Sequence, residues 1–226
     1  MNTPCLLRQG QLTSGRAFMK KLFLLAFLAF GSARLVYGGT ETPAVSQYTE
    51  TNQDWFEGRS FELELMTGVV GAPISGDHIS YHFTDTQLRL GWMLYTPRWS
   101  GLMRGNLELL LSAGGGVIFE GPGDGFGSVG VILRYNFVQP SARIIPYGQI
   151  GIGTFISDIS EDKQQEDIGS TFEADLKVGI GTRVLISRDW SFNLELYFDH
   201  ISNAGAEDRN VGINALGGLV GLSRSF

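Results

Sequence analysis

A histidine and a serine stand two residues apart in the stretch Asp199-His200-Ile201-Ser202-Asn203-Ala204-Gly205. A serine hydroxyl becomes an effective nucleophile when a neighbouring base takes its proton, and imidazole is the commonest such base. The pair ends the run Trp190-Ser191-Phe192-Asn193-Leu194-Glu195-Leu196-Tyr197-Phe198. On a strand, residues two apart share a face. His200 and Ser202 therefore continue the face of Trp190, Phe192, Leu194, Leu196 and Phe198, while Ser191, Asn193, Glu195 and Asp199 fall on the other. A nucleophile–base pair in line with the most apolar face of a strand is out of place in a soluble enzyme. It suits an enzyme whose substrate is a lipid lying beside it.

Such a pair needs a third group to fix the imidazole tautomer, and donors for an oxyanion. The last strand-like run, about residues 213–226, sets Leu216, Val220, Leu222 and Phe226 on one face and follows through a short loop, so the two runs are expected to be neighbours. By parity with Leu216 and Val220, Asn214 points outward and is the candidate orienter. Asn203 can offer its side-chain amide and Gly205 its backbone N–H to an oxyanion. Asp199 is the nearest acid but turns to the opposite face, and Glu207 and Asp208 in the loop could reach back. Each residue also has a plainer account. His200 and Ser202 would serve as an interfacial polar cap, Asn203 and Gly205 as turn formers, and Asn214 as the first residue of a strand.

The elements that must position these residues are strands throughout. Period-2 alternation sets Phe61, Leu63, Leu65 and Val69 against Glu62, Glu64 and Gly68. It sets Leu88, Leu90, Trp92 and Leu94 against Gln87, Arg89 and Gly91, and Leu107, Leu109 and Leu111 against Asn106, Glu108 and Ser112. Val129 to Phe137, a glycine-rich run at 144–156, and Phe172 to Ile186 follow the same rule. With the runs at 190 and 213 these make eight strands, an even number. Fully charged residues occupy the polar faces: Glu62, Glu64, Arg89, Glu108, Arg134, Glu173, Asp175, Lys177, Arg183 and Glu195. The expected fold is all-β, an eight-stranded antiparallel up-and-down transmembrane β-barrel with a polar inside and an apolar outside. The terminal Phe226 resembles the C-terminal aromatic of bacterial outer-membrane barrels. Eight strands leave an interior filled by side chains rather than a wide pore. Connections near 97–101, 139–143 and 187–189 read as fairly short, and those at 72–84, 119–127, 157–170 and 203–211 as longer or more polar. This places His200 and Ser202 at the outward end.

The N-terminus reads as an address. Met19-Lys20-Lys21 precedes nine apolar residues, Leu22 to Phe30, and then small residues, the order of a secretory signal. The expected division is a signal region at 1–38, with Met19 an alternative start, a lead-in at 39–59 and the barrel at 60–226. The whole chain has 226 residues and a net charge of −6. Arg8, Arg16, Lys20, Lys21 and Arg34 lie in the signal region, so its removal leaves 12 bases against 23 acids, a charge near −11. That argues against a nucleic-acid partner. The one cysteine, Cys5, lies in the same region, which leaves no disulfide scaffold and no Cys-ligated metal.

Other clusters carry blander expectations. Asp158, Glu161, Asp162, Glu166 and Asp167 read as a solvated outer loop. His78 and His82, four apart in what reads as a loop, lack the helix that would bring them together on zinc. Gly114-Gly115-Gly116 and Gly121-Pro122-Gly123 read as bulge and turn glycines.

His200-Ile201-Ser202-Asn203-Ala204-Gly205, joined to Asn210-Val211-Gly212-Ile213-Asn214, resembles the lipid A 3-O-deacylase family. The close match covers residues 198–214, and elsewhere the likeness is one of architecture. Members are eight-stranded outer-membrane barrels that hydrolyse the ester-linked acyl chain at position 3 of lipid A. The resemblance implies Ser202 as nucleophile, His200 as base, and Asn203 and Gly205 at the oxyanion. The family's triad glutamate falls on Asn214, where this sequence departs. An amide oxygen can orient the ring but carries no charge to stabilise imidazolium. In a serine protease, Asp→Asn in this role lowers kcat about 10⁴-fold. The expectation is a serine-type carboxylic ester hydrolase of the bacterial outer membrane, acting on lipid A or lipopolysaccharide without cofactor or metal. A homodimer is left open. The rivals are a catalytically silent barrel with a structural or binding role, and a soluble exported barrel with its polar face outside.

Overall fold

Alternating residues make strands here because each strand separates two environments. The computed structural model describes residues 55–72 and 79–226, so the expected signal region and His78 lie outside the described residues. Eight strands follow in order: β1 (Phe61–Ala72), β2 (Tyr81–Met93), β3 (Asn106–Glu120), β4 (Gly125–Asn136), β5 (Ile144–Ser157), β6 (Phe172–Leu185), β7 (Trp190–Ser202) and β8 (Ile213–Ser225). Each pairs antiparallel with the next, and β1 pairs with β8 to close the barrel. A closed barrel leaves no unpaired edge, the condition for strands in lipid. Phe61, Leu90, Leu111, Val131, Ile152, Val178 and Leu196 are exposed on the outer face.

The interior has three levels. At the end carrying Phe61 and Phe226, Trp55 and Phe56 pack with Met93, Val138, Ile145 and Leu185 and seal the mouth. Above them lies an ionic layer. Arg134 forks onto Glu64 (Nη1–Oε2 2.9 Å, Nη2–Oε1 3.0 Å), Arg89 forks onto Glu195 (2.8 and 2.9 Å), and Arg183 reaches Glu62 at 2.7 Å. Lys177 joins Asp175 at 2.6 Å and Asp199 at 3.0 Å. The opposite half, toward His200, is filled by apolar side chains, among them Met66, Val70, Tyr81, Phe83, Phe155, Ile201 and Ile213.

Two sequence expectations change. β2 begins at Tyr81, so His82 lies on a strand rather than in a loop. Tyr81 and Phe83 point inward and His82 outward, because this part of the interior is apolar and the usual contrast of the two faces is inverted. The β2–β3 connection also runs over 94–105 with a 3-10 turn at Gly101–Met103, longer than the β3–β4 turn at 121–124. Loop length therefore does not distinguish the two ends of this barrel.

Candidate active site

β7 and β8 build the site between them. In their register His200 stands opposite Asn214 and Ile201 opposite Ile213. Asp199, Ile201 and Ile213 are buried in the interior, so His200, Ser202 and Asn214 face outward. His200 Nδ1 lies 2.8 Å from Asn214 Oδ1. An amide oxygen only accepts, so Nδ1 carries the proton and Nε2 is left with its lone pair. That is the tautomer a general base needs. His200 and Ser202 share the face without a hydrogen bond between them in this structure.

Gly212 occupies the gap beside this pair. Its φ of +82° belongs to the left-handed region that favours glycine. A Cβ there would sit 3.4 Å from His200 Cε1, 3.5 Å from Ser202 Cβ and 3.1 Å from the Ile201 carbonyl oxygen. The missing side chain keeps the space beside imidazole and serine open.

The loop after Ser202 is a tight turn. Ala204 and Gly205 both have positive φ, +55° and +85°, and Ala206 N–H donates to the Asn203 carbonyl at 3.1 Å. Asn203 is buried and turned away from the Ser202 face. Its Nδ2 donates to the Arg209 carbonyl at 3.0 Å, and its Oδ1 accepts from Gly205 N–H at 2.9 Å. Its backbone N–H donates to Asn210 Oδ1 at 2.8 Å. Asn203 and Gly205 thus act as turn formers here, and a role at an oxyanion requires this turn to open.

The acidic loop after β5 is solvated on its outer side, as expected, and also seals the barrel beneath it. Ile159, Gln165, Asp167 and Ile168 are buried, and Asp167 Oδ2 accepts from Tyr81 OH at 3.0 Å. Glu161, Asp162 and Glu166 do face solvent. Arg209 ties the β7–β8 loop to this seal. Its guanidinium donates to the carbonyls of Asp162, Gln165 and Ser160 at 2.9, 3.0 and 3.1 Å, while Gly212 N–H donates to the Asp167 carbonyl at 3.0 Å. Sequence reading missed Arg209, Asn210 and Gly212 as parts of the site. The available signal for Arg209 was its place as the single base in the loop 203–212. Glu207 and Asp208 are exposed, and neither bonds to His200. Among the described residues no group of three or more His, Cys, Asp or Glu side chains could hold a metal.

A family model described as lipid A 3-O-deacylase (PagL) matches residues 42–223. No curated protein matches the chain. Among solved structures, Neisserial surface protein A is 14% identical with a TM-score of 0.53, the match covering 74% of this chain and 97% of that one. The N-terminal β-barrel domain of Pseudomonas aeruginosa OprF is 16% identical with a TM-score of 0.50, covering 75% and 98%. The outer membrane enzyme PagL is 22% identical with a TM-score of 0.49, covering 70% and 97%. The first two share the barrel with this chain and say nothing finer. The homodimer left open above gains no support from these matches.

Proposed function

The chain belongs to the lipid A 3-O-deacylase family and lies in the bacterial outer membrane, and on that premise we propose that it hydrolyses the 3-O-acyl ester of lipid A by a Ser202–His200 mechanism. On this reading the His200 end faces the outer leaflet, where lipopolysaccharide resides. His200 Nε2 takes the Ser202 proton as Oγ bonds to the acyl carbonyl carbon. The tetrahedral intermediate collapses, the bond from carbon to the sugar oxygen breaks, and imidazolium returns the proton to that oxygen. Water, deprotonated by His200, then frees the fatty acid from Ser202. Asn214 keeps the base in register throughout. The substrate oxyanion replaces Asn203 Oδ1 as acceptor for the Gly205 N–H, which frees the Asn203 side chain to re-aim.

The single observation that carries this reading is the 2.8 Å contact between His200 Nδ1 and Asn214 Oδ1 on the lipid-facing side of the wall, beside an outward Ser202. A polar contact on such a face needs a reason, and an oriented base next to a hydroxyl supplies one. The same residue favours a second reading. Asn214 is uncharged and the Gly205 N–H is engaged within its own turn, as suits a barrel that has lost the chemistry.

Mass spectrometry of lipid A from a lipopolysaccharide-producing host decides between them. Expression of the chain removes one ester-linked acyl mass, and the Ser202→Ala variant, inserted equally well, leaves lipid A intact. Unchanged lipid A with inserted wild-type protein supports the silent barrel.

A further inference from the structure

The described residues hold two histidines, and both face lipid at the same rim. His200 is one, and His82, the second residue of β2, is the other. His200 Nδ1 is hydrogen-bonded to Asn214, whereas His82 Nδ1 has a carboxylate nearby without hydrogen-bond geometry. His82 Nδ1 lies 3.3 Å from Glu120 Oε2 at the end of β3, and Glu120 is itself held by Ser80, whose hydroxyl donates to Oε1 at 2.7 Å. Phe119 packs beside the ring with centroids 6.1 Å apart. The imidazole is thereby buttressed from β3 and its other edge is turned toward β1. That edge lies over Gly71, where a Cβ would stand 3.2 Å from His82 Nε2 and 3.1 Å from Cδ2. Nε2 makes no hydrogen bond among the described residues.

The ring ends an open groove on the lipid face. Its outward side chains are Val69, Phe119, Leu196 and Leu216, and Gly71 and Gly218 form part of its floor. His82 is the single polar side chain facing it among them. Glu120 is the charged group beside the imidazole, and β1 and β8 present only these apolar or small residues to it. The groove leads toward the reaction centre, because Leu216 pairs with Gly71 on one side and Phe198 on the other, one outward step from Asn214 and His200. Adjacent strands lie about 4.8 Å apart, so His82 stands roughly 10 Å sideways from β8 and roughly 14 Å from β7. A histidine placed there faces lipid headgroups, and its Nε2 edge, free of hydrogen bonds among the described residues, can present a single N–H donor. That donor suits an anionic oxygen.

We propose that His82, flanked by Glu120 and Phe119, binds a phosphate group of the lipid whose ester is held at Ser202. The proposal rests on the deacylase reading above, since it takes lipid A, a phosphorylated diglucosamine, as the molecule spanning the two histidines. Ser202 receives the acyl ester on one sugar, and His82 receives a phosphate toward the far end of the headgroup. The protein then selects lipid A for being phosphorylated as well as acylated.

Binding to the purified Ser202→Ala protein in detergent micelles tests this without turnover. The ligands are phosphorylated lipid A, enzymatically dephosphorylated lipid A and inorganic phosphate. Phosphorylated lipid A binds about tenfold tighter than the dephosphorylated form, as for one charge-assisted hydrogen bond. Adding His82→Phe removes that difference, and Glu120→Gln reduces it, with barrel folding confirmed by heat-modifiable migration. Competition by inorganic phosphate assigns the recognition to the anion itself, and its failure to compete assigns it to phosphate borne on the headgroup. Equal affinity for the two lipids, or an equal loss on both from His82→Phe, overturns the proposal while leaving the deacylase reading intact. Failure of the Ser202→Ala protein to bind any lipid A overturns both.

Discussion

His200 Nδ1 and Asn214 Oδ1 meet at 2.8 Å across the β7–β8 pair, on the lipid side of the wall. The contact fixes the tautomer of the base but gives imidazolium no opposing charge as it forms. Orientation and charge, usually joined in one carboxylate, are separated here. Asn214→Glu restores the charge at the same register position, and a carboxylate near the membrane interface adds little cost. Deacylation should rise by about two orders of magnitude or more, within the roughly 10⁴-fold span known for the reverse change in a serine protease. Asn214→Leu should abolish it. Initial rates on purified lipid A in mixed micelles measure both. No gain from glutamate would mean that another group orients His200.

Gly212 makes the second prediction. A methyl at this position crowds the Ile201 carbonyl at 3.1 Å, on a backbone at φ +82° that L side chains rarely adopt, and touches the His200 ring and Ser202 at ordinary contact distance. Gly212→Ala should therefore shift the backbone beside Ile201, the residue between His200 and Ser202, and lower kcat about 10- to 100-fold, the usual penalty for misplacing reacting groups. The barrel is closed by strand pairs that do not involve Gly212, so detergent-resistant migration should stay unchanged. Loss of the folded form in parallel with activity would assign Gly212 a structural role instead.

The parts of this arrangement that could be read from sequence are those that lipid dictates. Phe61, Leu90, Val131 and Leu196 had to face outward and Glu64, Arg89, Arg134 and Glu195 inward, so parity alone placed His200, Ser202 and Asn214 on one side of the wall. The same logic failed where the environments were less different. Tyr81 and Phe83 point into an apolar interior while His82 and Thr84 face out, and the start of β2 reads as loop. The seal formed by residues 158–171 was hidden because its charged residues do face solvent while Gln165 and Asp167 turn under it. The role of Arg209 was harder to read for a different reason. Its partners are backbone carbonyls, which every residue carries and no side-chain pattern announces.

Arg209 supports the third prediction. Its hydrogen bonds to the Ser160, Asp162 and Gln165 carbonyls hold the β5–β6 seal against the loop that follows Ser202. Hydrogen bonds from a charged donor contribute about 1.5–3 kcal/mol each before shared losses are counted. Arg209→Leu should release both loops while leaving the strands paired. Limited proteolysis of the detergent-solubilised protein should cut within 158–171 or 203–212 in the variant and leave the wild type whole. An uncut variant would show that the strand ends alone hold the loops.

The interior ionic layer gives the last prediction. Arg134 spans Glu64 with two hydrogen bonds of 2.9 and 3.0 Å, and both side chains are fully enclosed. Glu64 also accepts from Arg89 at 2.8 Å, so the carboxylate is shared between two strands' arginines. Removing one member of a buried pair strands the other charge, at a cost of about 3–5 kcal/mol. Arg134→Met should lower the stability of the barrel by that amount, read as a shift in the urea midpoint in phospholipid bilayers. Arg134→Lys should be nearly as damaging, because an ammonium cannot make the two parallel contacts. The double variant Glu64→Gln with Arg134→Met should recover much of the loss, since neither residue then carries an unpaired charge. Additive damage in the double variant would show that Arg134 acts through Glu62, Glu108 or Tyr147, its other neighbours, rather than through Glu64.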